Sequence, residues 1–441
     1  MNNFQNLCIY FILSFTYSFV ICQDIPDARY EHTSALINDK LYFFGGATQT
    51  TNTSNEVFYI DLSSTFDILT SPFKKVSVGM PVGVNLATCV SSPDNSTIFL
   101  IGGRMTSTST AVYKFDPISL QWTIPIIDGF NNSFINRNEF DTVIDSKGKS
   151  YIFGGTDTKT GITIGNDQLF YEMNLFDTAS MTWSTLTLPT DVLPRIDYTA
   201  TLLPTGFIIY LGGETRLTPS SANTKPSFND ILIFDTKFLS WSNKTASGIT
   251  VQPRYGHSAV LSKGGNIIIF GGASGFAQVY PDLAVLNTNT WMWSVPSNST
   301  VNVPPSLIHH TANLYKIYMI IAFGRKTSQL VVRPFNYSNN IYIFNTETYS
   351  WVSSFNEVSQ GTPTNSDGAA TNKGDLSTDN GNSLTYKIIL YIVISIGCIA
   401  FLSSLVVCYK KYYKNRTKIE KNLMSDVNDL HDKERYSNRV V

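Results

Sequence analysis

The 441-residue chain carries 32 Lys and Arg against 33 Asp and Glu, a formal net charge of -1. That balance removes the electrostatic basis for non-specific nucleic-acid binding, so no nucleic-acid partner is expected. Hydrophobic residues at 43% with 15% charged exclude a wholly disordered chain, while 13% aromatic residues and 28 glycines favour short strands and tight turns.

Residues 4–22 are uncharged and give way at once to the polar QDIPDARYEH. Val20 and Cys22 are small enough to precede a signal-peptidase cut, which predicts a cleaved signal peptide over 1–22. The leading MNN holds no Lys or Arg, so an uncleaved anchor is the alternative.

From residue 23 to 356 the chain repeats itself. Apolar runs ending in paired glycine recur at Gly45 and Gly46, Gly102 and Gly103, Gly154 and Gly155, Gly212 and Gly213, and Gly271 and Gly272, with Gly324 alone in a sixth. The steps between first glycines are 57, 52, 58, 59 and 53 residues, a recurrence that indicates one supersecondary unit used six times. A second mark follows each pair: Asp116, Asp177, Asp235, Asn287 and Asn345 stand six residues before Trp122, Trp183, Trp241, Trp293 and Trp351. The short acid or amide turns the chain by bonding its own backbone, and the Trp packs on the returning strand. The first repeat is degenerate, with Phe66 five residues after Asp61. A third mark precedes the glycines, an Arg at 29, 137, 195 and 254 that the second and sixth repeats lack.

With these three marks in register, residues 26 to about 355 resemble the kelch-repeat family, in particular attractin-like and galactose-oxidase-like ectodomains. The resemblance implies an all-β fold, a six-bladed kelch β-propeller with one four-stranded blade per repeat, and an interaction scaffold as its use. The residues agree independently, because each repeat holds two apolar runs up to the glycines and two shorter alternating ones after them. Little chain is left at either end of the repeats for a clasp that exchanges strands between the termini.

Residues 357–386 contain almost no large apolar residue and predict a disordered stalk. Ile388 to Cys408 is 21 residues without a charge, enough to cross a hydrocarbon core of about 30 Å, and a transmembrane helix is predicted over 387–409. Lys410, Lys411, Lys414, Arg416 and Lys418 follow it, which places the tail, 410–441, in the cytoplasm. The expected protein is therefore single-pass type I, in the plasma membrane or an endomembrane, with the propeller extracellular or lumenal. Acceptor sites for N-glycosylation occur outside at Asn52, Asn95, Asn131, Asn243, Asn298 and Asn336. Cys89 is the single cysteine of the predicted ectodomain, so no internal disulfide is available there and a buried structural role is expected for it.

Antiparallel strands a to d of each blade put the b–c and d–a connections on one face and the a–b and c–d turns on the other. The b–c loops are the long ones, and binding residues favour such loops. Candidate ligand-binding residues are Arg104, Glu214, Arg216, Arg325 and Arg333 on b–c loops, with Arg29, Arg195 and Arg254 at d–a boundaries. For the repeated arginines, pairing or capping between blades is the structural alternative. Five of the six glycosylation acceptors are expected on that same face, with Asn95 on the other.

No catalytic motif, metal cluster or cofactor motif is present: there is no G-x-S-x-G, phosphate-binding loop or H-E-x-x-H, and His32 and His257 occupy one repeat position. The leading reading is a non-enzymatic, membrane-anchored recognition or adhesion module, without cofactor, whose partner is a protein or glycan. The alternatives are a carbohydrate-active oxidase or isomerase on the same propeller, and a receptor signalling through its short tail.

Overall fold

The computed structural model describes residues 25–70, 73–107, 110–158, 168–218, 221–275, 277–301, 303–329 and 335–356. The predicted signal peptide, stalk, membrane segment and tail lie outside these residues, as does Arg333. Among the described residues no helix is long and apolar enough to cross a membrane.

Six four-stranded antiparallel sheets follow one another along the chain. Their inner strands are Thr33–Ile37, Thr88–Ser91, Thr142–Ile144, Thr199–Leu202, Ser258–Leu261 and Thr311–Tyr315, and each touches the next in a closed ring. The b strands, Lys40–Phe44, Ile98–Ile101, Lys149–Phe153, Phe207–Leu211, Asn266–Phe270 and Tyr318–Ala322, are almost wholly buried, as expected for apolar runs covered on both faces by neighbouring blades. Along the inner strands of blades 1, 2, 4 and 5 burial alternates, and small side chains of the inner strands line the central channel: Ser34, Cys89, Ala200, Ala259 and Ala312. The fold is thus an all-β six-bladed propeller.

The glycine pairs explain the spacing between blades. In every pair both residues have positive φ, and a Cβ on Gly45 would lie 2.3 Å from the Val84 carbonyl oxygen of the next blade. Only glycine fits that approach. The second glycine then donates its N–H to the same carbonyl: Gly46 to Val84, Gly103 to Arg137, Gly155 to Arg195, Gly213 to Arg254 and Gly272 to Leu307, at 2.7–3.0 Å. Gly324 of the sixth blade donates to Arg29 at 2.8 Å and closes the circle.

Closure uses no exchanged blade strand. The first and sixth blades meet through the Gly324 bond, His32 to Thr311 at 2.9 Å, Asn313 to Ser34 at 2.6 Å and Tyr315 to Asp39 at 2.6 Å. A two-residue latch is added, Ser354–Phe355 pairing with Phe66–Asp67. Phe66 therefore does not hold the tryptophan position of blade 1. It stacks on Phe355 at 5.2 Å, and the outer strand begins later, at Phe73–Lys75, because the c–d connection of this blade is longer.

The turn signature folds locally as its chemistry requires. Asp116, Asp177, Asp235, Asn287 and Asn345 each accept backbone N–H groups two and three residues ahead, and Leu120, Met181, Leu239, Trp291 and Tyr349 take positive φ at the turn's end. Each following Trp meets the c strand of its own blade and also wedges against the blade before: Trp241 lies 4.8 Å from Phe153 and from Phe234, and Trp351 5.2 Å from Phe270. Trp183, Trp293 and Trp351 are buried, whereas Trp122 and Trp241 are only partly so.

Candidate functional site

The repeated arginines turn inward. Arg29 and Arg254 donate to the carbonyls of Gly45 and Gly271 of their own blades at 2.8 and 2.9 Å, and Arg137 to Gly154 at 2.7 Å. Arg195 lies near the Tyr210 and Gly212 carbonyls at 3.3 and 3.5 Å. Arg29 and Arg137 also pair with Glu56 and Glu172 at 2.9 and 2.7 Å, and all four arginines are buried. A glycine pair exposes carbonyls that no side chain covers, and a long guanidinium supplies the donors they lack.

Two residues beyond the arginine position the chain turns through left-handed φ in every blade, at Glu31, Leu86, Glu139, Asp197, Gly256 and His309. Five of these residues donate their N–H to the equivalent carbonyl of the preceding blade, at 2.8–3.0 Å. This backbone ring holds five side chains and Gly256 around one mouth of the central channel, a cavity of about 320 Å³. Non-glycine residues in this conformation are strained, and such strain concentrates at binding and catalytic sites.

Charge at the mouth is unevenly matched. Glu139 pairs with Arg104, which also donates to the Thr158 carbonyl at 2.9 Å, and Glu214 pairs with Lys225 at 3.0 Å. Glu31 accepts from the Asn85 amide at 2.5 Å, while Asp197 faces the His309 ring at 3.9 Å. Burial pushes the Asp197 carboxyl up to about 8, with repulsion from Glu214 and Glu31 adding to it. Burial also raises Glu31, and it lowers His309 against the pull of the Glu31 charge.

Aromatic rings frame this cluster. His309 sits edge-on to Tyr30 at 6.4 Å and to Tyr255 at 6.1 Å, Tyr30 stacks on Tyr337 at 4.6 Å, and Arg325 lies 3.5 Å from the centre of the Phe335 ring. Burial, with the Asp197 and Glu214 charges, pushes Tyr255 up to about 12. The mouth thus offers carboxyl, imidazole, phenol and guanidinium groups around an open cavity, a set suited to hydrogen bonding and charge recognition.

Below the mouth, three histidines are architectural. His32, His257 and His310 reach to Thr311, Thr199 and Ser258 of the preceding blade at 2.9, 3.0 and 2.8 Å. Burial drives all three well below their ordinary range, His310 to about 3, so they stand neutral. In blade 4 Tyr198 takes this place and donates to Asp141 and Phe153 carbonyls. Cys89 lines the channel as a free thiol whose ionisation burial opposes. Among the described residues no three His, Cys, Asp or Glu side chains are arranged to hold a metal ion.

Of the sequence-predicted binding residues, Arg104, Glu214 and Arg325 stand at this mouth and Arg333 is outside the described residues. Arg216 is buried, 4% exposed, and donates to Asn223 at 2.9 Å. The glycosylation acceptors are also redistributed. Asn52 and Asn336 lie in b–c loops, Asn131 and Asn298 in d–a connections and Asn95 in an a–b turn, but Asn243 is inside an outer strand, Ser240–Thr245, not in a connection. That strand extends four residues past Trp241, where the turn signature ends. Glu31, Asp197 and His309 escaped the sequence reading because the ring position holds no constant residue, carrying Glu, Leu, Glu, Asp, Gly and His in turn, and Tyr30 and Tyr255 precede it by one. Its offset of two from the arginine position was the available signal.

Residues 2–278 match the attractin/LZTR1 β-propeller family model, and residues 198–378 match the KLHDC2/KLHL20/DRC7 kelch-repeats domain. Acyl-CoA-binding domain-containing protein 4 of Arabidopsis thaliana is 28% identical over 287 residues, 63% of this chain and 40% of that protein. Kelch domain-containing protein 3 of Bos taurus is 26% identical over 203 residues, 45% of this chain and 50% of its own length. The chain thus spans half or less of the length of these relatives. The solved structure titled "Structure of YjhT" superposes with a TM-score of 0.55 at 12% identity, covering 74% of this chain and 97% of that one, a likeness of fold.

Proposed function

The chain belongs to the attractin/LZTR1 β-propeller family, and from that premise we propose that it is a membrane-anchored recognition module whose partner, a protein or a glycan, docks over the channel mouth on the b–c/d–a face. The observation that carries this reading is one open cavity lined by Glu31, Glu139, Asp197 and His309, with Tyr30 and Tyr255 edge-on to the His309 ring behind it. Kelch propellers bind protein partners as a rule, and a fold of this kind places binding on its loops. Anchoring is supported by the apolar 388–408 segment with its basic flank, and secretion by the apolar 4–22 segment. On this reading the module is not an enzyme and carries no cofactor.

The test compares full-length protein with two charge variants in binding to cell-surface extracts. Arg325→Glu, at the mouth, should lose partners that Phe238→Glu, on an exposed c–d turn of the opposite face, retains. The reverse pattern moves the docking surface to that opposite face. Protease added to intact cells should digest the propeller and spare an epitope on the tail, and a protected propeller would refute the topology.

A second reading, acid–base isomerisation of a small sugar in the same cavity, is favoured by one observation, the Asp197 carboxyl facing the His309 imidazole. Interconversion of free sugars by the full-length chain, abolished in Asp197→Asn, would establish it.

A further inference from the structure

We propose that Asn243 is an N-glycosylation site whose glycan shields the open edge of blade 4 from pairing with a second copy of the chain. This rests on the reading that the propeller enters the secretory pathway. An exposed outer strand presents a row of unpaired N–H and C=O groups, and its length sets how readily another strand adds to it. The outer strands of blades 3 and 4, Thr182–Thr187 and Ser240–Thr245, have six residues each, against three in the other blades.

Three edges in this propeller are covered by the connection arriving from the blade before. On blade 3, Asp128 accepts the Trp183 N–H at 2.8 Å and donates to Met181 at 2.9 Å. On blade 5, Ser247–Gly248 runs parallel to the outer strand Met292–Ser294. On blade 6, the Ser297–Thr300 turn lies against the outer strand, and its Ser299 carbonyl takes the Trp351 indole N–H at 3.0 Å. Blade 4 differs. Among the described residues no backbone hydrogen bond reaches the free edge of Ser240–Thr245, and Ser240, Ser242, Asn243, Lys244 and Thr245 are all exposed.

The acceptor triplet Asn243-Lys244-Thr245 lies within that strand. Asn131 and Asn298 have their side chains engaged, by the Ser133 N–H and the Thr348 carbonyl at 3.0 and 3.2 Å, whereas the Asn243 side chain makes no hydrogen bond among the described residues. In the modification the Asn243 Nδ2 bonds to the anomeric carbon of a lipid-linked oligosaccharide diphosphate. The carbon–oxygen bond to phosphate breaks, the lipid diphosphate leaves with the electron pair, and the amide gives up one proton. A bulky, hydrated chain is then fixed at the middle of the one long uncovered edge among the described residues, where it obstructs a second strand.

The experiment uses the full-length chain expressed in eukaryotic cells, read by glycopeptide mass spectrometry and by light scattering of the purified protein. Asn243 is expected to be occupied. Asn243→Gln and Thr245→Ala, which remove the acceptor from different positions, should each raise the dimer fraction roughly fivefold or more over wild type, while Asn95→Gln leaves it unchanged. Occupied Asn52 or Asn95 with bare Asn243 overturns the proposal and leaves the secretory reading standing. If all six acceptors are bare, both fall. If both blade 4 variants associate no more than wild type, the shielding role is overturned.

Discussion

His309 of blade 6 lies across Gly256 of blade 5 to face Asp197 of blade 4, 3.9 Å from its carboxylate. A Cβ built on Gly256 would meet the His309 ring at 3.1 Å, so the missing side chain lets residues from alternate blades meet. Three repeats supply one pair, and neither partner is near the other in sequence.

This pair has a pH signature. Asp197 is raised in the fold to about 8 from its ordinary value near 3.8, so its proton is held where the unfolded chain has released it. Between those values the native state binds more protons, and stability falls as pH rises. Asp197→Asn removes the penalty. Its melting temperature should exceed wild type by a margin that opens above about pH 4 and levels off beyond about pH 8.

The neutral histidines act with the opposite sign. His310 is lowered to about 3 by burial, so below pH 6.5 the unfolded chain takes up a proton that the fold refuses. Stability contributed by this group is complete above that pH and is lost as the pH falls towards 3. His310→Gln should flatten the acid limb of the stability curve measured by thermal unfolding, and an unchanged limb would contradict the neutral assignment.

Tryptophan truncation should separate two kinds of blade contact. Trp293 is 1% exposed and donates its indole N–H to the Phe228 carbonyl at 2.9 Å, so Trp293→Ala should cost about 3 to 5 kcal/mol. Trp241 is only partly buried, and Trp241→Ala should cost less. Equal losses in denaturant titrations would argue against the difference in packing.

Glycine substitution tests the blade spacing. A Cβ on Gly271 would lie 2.3 Å from the Leu307 carbonyl oxygen, at φ +69°. Gly271→Ala should destabilise by about 2 kcal/mol from backbone conformation, and by more because a backbone oxygen of the next blade must move. Gly275→Ala, with nothing within 4 Å of the added carbon, should lose only the conformational part.

Charge reversal at two arginines should diverge. Arg216 is buried against Asn223, so Arg216→Glu should lower thermal stability, whereas Arg325→Glu should act on partner binding. Binding assays and melting curves on both variants distinguish these outcomes.

The repeated glycines, the Asp or Asn turns and their tryptophans were legible in the sequence because each encodes a local requirement. Positive φ at Gly45, or the Asp235 side chain accepting from Lys237 and Phe238, depends on a few neighbouring residues that recur at fixed spacing. Six such units imply six blades before any contact is known. What tertiary structure alone decided is which residues meet. Arg29 and Arg254 had the look of boundary charges, yet they fold inward because the glycine turns expose carbonyls to them. Asn243 lies in a strand, since Ser240–Thr245 pairs with Asp230–Asp235 for six residues rather than three. The mouth was the least legible feature of all. Glu31, Leu86, Glu139, Asp197, Gly256 and His309 share a backbone conformation but no common residue type, and they become neighbours only when ring closure brings one residue from each blade to the same axis.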